Sequence, residues 1–136
     1  MTTVNQNLTL LFGRALLVAL FLFSGIGKLM APSATLTYIA ASGAPFPSLA
    51  YGIALVVELG LATALLLGYR VRPVALLMAA FTLMTALLFH NHFGDKGQLI
   101  NFLKNLAICG GFLQIAVFGA GGFSLDHLRS QRAVLS

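Results

Sequence analysis

Four apolar stretches, at about 8–30, 49–68, 73–90 and 99–119, take up nearly the whole chain. Each comes close to the ~20 residues that an α-helix needs to cross the core of a bilayer. The expected fold is therefore all-α: an integral membrane four-helix bundle formed by residues 1–136 as a single domain. Hydrophobic residues make up 59% of the chain and charged residues 8%, a balance that points to the lipid bilayer as its solvent and first partner.

The net charge of +5 would suggest nucleic acid in a soluble protein. Here the cations are spread thinly, with no basic run and no aromatic stacking platform, so no nucleic-acid partner is expected. The single cysteine, Cys109, lies inside the fourth stretch. It excludes an intrachain disulfide and dithiol chemistry within this chain, and reads as a packing residue. The N-terminus lacks a basic region, and Lys28 interrupts the place where a signal peptidase would cut, so it reads as a retained first helix.

Arg70 and Arg72 lie in the tight loop at 69–72, and Arg129 and Arg132 in the tail. The positive-inside rule puts that loop, the tail and the N-terminus on the cytoplasmic side. The uncharged first loop, 31–48, and the third, 90–98, then face outward. The first loop reads as a short interfacial helix opened by Pro32 and closed by a left-handed Gly43. Ser124 is placed to cap a short surface helix. Gly60, Ala64 and Gly68 form a small-residue face that permits close helix approach, and Gly110-Gly111 offers another.

Ionisable groups inside a bilayer are costly and mark packing or function. Arg14 and Lys28 are fourteen residues apart, which puts them within ~40° of each other on one helix stripe and ~21 Å apart along it. Glu58 sits mid-span, and an unpaired carboxylate there is protonated or finds a partner. Judged by depth, Arg14 is the expected partner and Lys28 the poorer one, so Arg14 and Glu58 form the expected buried ionic centre. Asn101, Lys104, Asn105 and Cys109 follow the spacing of one helix face, a hydrogen-bonding wall near the outer end. His90 and His92 close the third span. With Asp95 the only carboxylate nearby they fall short of a metal site, and no metal is expected.

Several segments together resemble the DoxX family. They are Gly13-Arg14 with Phe21-Leu22-Phe23-Ser24-Gly25-Ile26-Gly27-Lys28-Leu29, the Gly43-Ala44-Pro45 loop, Val57-Glu58-Leu59-Gly60, Leu67-Gly68-Tyr69-Arg70 and the closing 119–126 run. His90-Asn91-His92-Phe93 and Phe102-Leu103-Lys104-Asn105-Leu106 are similar to its proteobacterial inner-membrane branch. The resemblance implies the membrane subunit of a quinone-linked oxidoreductase. It also implies Arg14, Lys28, Glu58, Arg70, Lys104 and Asn105 as the polar set.

The expected function is thus a membrane subunit of a redox system that binds a quinone or similar small lipophilic molecule. Lys28, His90, Lys104 and Asn105 would line an outward-facing cleft. No intrinsic cofactor motif is present, so a redox partner protein would supply the electrons, and a homo-oligomer is compatible with the helix faces. The alternatives are an assembly or anchoring subunit, which predicts no cavity, and a small proton-coupled exporter, which predicts water access to Glu58 from both sides in turn.

Overall fold

The computed structural model describes residues 3–135. Its helices are α1 (Val4–Met30), α2 (Pro32–Ala41), α3 (Pro47–Leu67), α4 (Val71–Phe89), α5 (Lys96–Phe118) and α6 (Leu125–Leu135). No strand occurs among the described residues. α1, α3, α4 and α5 are each long and apolar enough to cross a membrane, with mean hydropathies of 2.1, 2.0, 1.9 and 1.4.

The helices outrun their apolar stretches because polar residues cap them. At α1, Thr3 and Gln6 form a reciprocal capping box: the Gln6 N–H donates to Thr3 Oγ1 and the Thr3 N–H to Gln6 Oε1. At α5, the Asp95 carboxylate accepts from the Gly97 and Gln98 N–H groups. α2 is the short helix of the first loop. Pro32 sits in its first turn and Gly43, at φ +78°, follows its end in the left-handed conformation.

α1 packs on α3, α3 on α4, and α4 along most of α5. The core between them includes Val18, Phe21, Val57, Leu65, Ala75, Met78 and Phe112. Phe21 and Phe112 meet edge to face with centroids 5.4 Å apart, joining α1 to α5 across the bundle. Of all α5 only Phe112 is buried.

Two features bring α1 and α3 together. One is Gly25, where an added Cβ would lie 2.7 Å from Leu59 Cδ2 and 3.1 Å from Glu58 Cβ, so only glycine permits this approach. The other is a π-helical turn in α3, Val56–Leu61, which contains Glu58. Such turns interrupt the α-helical ladder and occur often at functional sites. The expected small-residue faces are only partly used. A Cβ on Gly60 or Gly110 would meet nothing within 4 Å, whereas one on Gly111 would lie 3.3 Å from Leu17 Cδ2. Close approach comes from Gly25 and Gly68, because the direction in which a neighbour lies decides which small residues matter, and spacing alone does not encode it.

Candidate functional site

Glu58 is 6% exposed, and its partner is Lys28. Lys28 Nζ donates to Glu58 Oε2 at 2.8 Å, to Oε1 at 3.0 Å and to Ser24 Oγ at 2.7 Å. All three ammonium donors are thereby used. This corrects the expected Arg14–Glu58 pair. Side chains on a helix lean toward its N-terminus. On α1 the Lys28 side chain therefore reaches back from the C-terminal end toward Ser24 and Glu58, while that of Arg14 reaches away from Glu58 toward the N-terminal end. Depth judged from Cα positions alone misses this lean. The Tyr51 hydroxyl donates to the Lys28 carbonyl at 3.0 Å and ties α3 to the end of α1.

Arg14, 1% exposed, belongs to a separate assembly at the opposite end of the bundle. Its Nη2 donates to the Phe123 carbonyl and its Nη1 to the Leu65 carbonyl at 3.4 Å, near the C-terminal end of α3 where the helix dipole favours a cation. Its Nε has no hydrogen-bond partner. Around it the tail closes on the α3–α4 turn. The Asp126 carboxylate accepts from the Arg70 and Val71 N–H groups, both at 2.8 Å, capping α4 from 55 and 56 residues away, and the Asp126 N–H donates to the Gly68 carbonyl at 2.9 Å. The Gly122 N–H donates to Asn7 Oδ1 at 2.7 Å. Ser124 caps α6, its Oγ accepting from the His127 N–H at 3.2 Å. Arg14 and Glu58 are thus both buried, but they anchor opposite halves of the bundle.

Beside Glu58, toward the C-terminal end of α1, lies a cavity of about 710 Å³. Its walls are largely apolar, with Phe21, Ile53, Phe81 and Ile108 among them, and Lys28, Glu58, His90, Asn101, Lys104 and Asn105 also line it. α2 contributes Tyr38, whose ring stacks on Phe89 at 5.7 Å. Four residues expected to border a cleft, Lys28, His90, Lys104 and Asn105, are therefore brought around one space. They are not equivalent. Lys28 is bound to Glu58, His90 Nδ1 lies 3.0 Å from Gln98 Oε1, and the Lys104 and Asn105 side chains make no hydrogen bond among the described residues. Tyr51, Gln98 and Asp126 escaped the sequence reading. Asp126 could have been found only by asking where the backbone donors that open α4 go. Among the described residues, no three His, Cys, Asp or Glu side chains gather as a metal site.

Comparison with known proteins yields relatives of the same kind. The Escherichia coli (strain K12) inner membrane protein YqjF is 36% identical over 127 residues, covering 93% of this chain and 96% of its own length. The inner membrane protein YphA from the same strain is 40% identical over 123 residues, covering 87% and 88%. No solved structure matches. Four apolar helices and two inner membrane relatives make this a multi-pass inner membrane protein. The DoxX family profile matches residues 9–91, the part that carries Arg14, Lys28 and Glu58, and with these near-full-length relatives it establishes that the chain belongs to the DoxX family.

Proposed function

We propose that this protein is the ligand-binding membrane subunit of a redox system, and that a quinone or similar small lipophilic molecule occupies the outer cavity. The observation that carries this reading is a space of about 710 Å³ with apolar walls and amide and ammonium groups among its lining. That size lies within the ~300–1,000 Å³ of small-molecule pockets, which combine apolar walls with a few convergent polar groups. Carbonyl oxygens that gain electron density on reduction are stabilised by N–H donors, which Asn101, Lys104 and Asn105 would supply. The chain would bind and orient the ligand, and a partner protein would carry the redox centre. A purely anchoring subunit has no use for such a space. A proton-coupled exporter needs Glu58 free to meet water from both sides in turn, whereas Lys28 holds both its oxygens. Protein purified in mild detergent is expected to release a quinone or comparable lipophile on mass spectrometry. Repeated preparations carrying only bulk phospholipid would count against the reading.

We also propose that both termini face the cytoplasm. Arg70 and Arg129 flank the Tyr69 ring, with their guanidinium carbons 5.8 and 5.4 Å from its centroid, so loop and tail cations gather at one end of the bundle. A fluorescent protein fused after Leu135 should be bright and an alkaline phosphatase fusion inactive. An active phosphatase reverses the orientation. The long, little-buried surface of α5 suits a partner subunit or a second copy.

A further inference from the structure

We infer that the outer cavity is a receptor for a single anionic oxygen, centred on Lys104, so that its ligand binds as a monoanionic amphiphile; this deepens the ligand-binding reading above and rests on it. The chain has three Asp and Glu side chains, and each is committed elsewhere. Both Glu58 oxygens bind Lys28, Asp95 caps α5, and both Asp126 oxygens cap α4. Of the three cations inside the apolar stretches 8–30, 49–68, 73–90 and 99–119, Arg14 donates to two carbonyls and Lys28 to Glu58 and Ser24. Lys104 is left with no counterion among the described residues.

Its position makes this consequential. Lys104 is eight residues into α5, ~12 Å from the helix start, at a depth where an uncompensated ammonium is disfavoured. It borders the cavity together with Asn101, about one turn before it, and Asn105, the next residue. A charge-assisted hydrogen bond is roughly twice as strong as a neutral one, and the apolar walls lower the local dielectric. Because Lys28 and Glu58 cancel, the cavity carries one net positive charge, which complements one negative oxygen. The amides can donate to a neighbouring oxygen. A carboxylate, an ionised hydroxyquinone or quinolate, or a phosphodiester headgroup shares this chemistry.

The test uses the full chain in phosphatidylcholine nanodiscs and two naphthoquinones of similar size, neutral menadione and lawsone, whose acidic hydroxyl is ionised near neutral pH. Calorimetric titration should show lawsone bound ~10-fold more tightly than menadione. Lys104→Gln should remove that preference by weakening lawsone far more than menadione, and Lys104→Arg should retain it. Equal affinities in the wild type, or a preference that survives Lys104→Gln, overturn the anion receptor but leave the ligand-binding reading standing. Lysine reaching out to the headgroups would give that result. Failure of both quinones to bind overturns the two together. If phosphatidylglycerol added to the disc displaces lawsone from the wild type, the anion receptor stands, its occupant is a lipid headgroup, and the redox reading falls.

Discussion

Replacing Lys28 by Met is expected to destabilise the protein by about 3–5 kcal/mol in a detergent melt, because Glu58 is then buried without its counter-charge. Replacing Glu58 by Gln should cost less. Lys28 lies two residues from the end of α1 and its side chain is 25% exposed, so the freed ammonium can swing outward to the headgroups, an escape closed to a carboxylate at mid-span. The double replacement by Met and Leu should recover much of the loss, since a buried ion pair exchanged for apolar side chains is often near neutral. The asymmetry distinguishes this pairing from an Arg14–Glu58 pair, which would make Lys28→Met nearly silent. Lys28→Met and Glu58→Gln proteins that both melt with the wild type would show that the pair contributes nothing to stability.

The second large effect is expected at Gly68, where the tail closes on the α3–α4 turn. Its φ of +73° is strained for any L-residue, and an added Cβ would run into the Ser124 Cβ and the Arg14 guanidinium, with the Ser124 Cα at 2.8 Å. Left-handed backbone costs a non-glycine residue ~1–2 kcal/mol, and overpacking against groups that cannot move adds ~1–3. Gly68→Ala should therefore lower stability by about 3 kcal/mol. Gly43→Ala is the control. Gly43 has nearly the same φ, +78°, but nothing within 4 Å of the added carbon, so it should lose only the ~1–2 kcal/mol of the backbone term. Equal losses at the two positions would mean that the tail does not press on the turn.

Hydropathy makes the four spans legible because it reports the same quantity that the bilayer selects on. It places their ends less well. α1 begins at Val4, α3 at Pro47, α4 at Val71 and α5 at Lys96, two to four residues before the apolar stretches, because capping by Thr3, Asp95 and Asp126 fixes a helix end and is indifferent to lipid. The residues of the candidate site, Lys28, Glu58, His90, Lys104 and Asn105, were likewise visible as polar groups in a setting that penalises them. Which of them meet was not. The partner of Glu58 depends on the lean of side chains along α1. The role of Arg14 depends on a tail more than a hundred residues away, which no local spacing announces. The 119–126 run stood out only through its family resemblance, and its packing against Gly68 and Arg14 gives that likeness a physical basis.

The π turn at Val56–Leu61 has one more consequence. It acts as a phase joint within a single rod. An unbroken α-helix advances 100° per residue, so fixing the face at one end fixes it at the other. The wider turn itself presents Glu58 to the cavity, while the C-terminal part of α3 keeps its own angle against the Arg14 assembly. Substitutions around the cavity can accumulate in one half without twisting the other out of its seat.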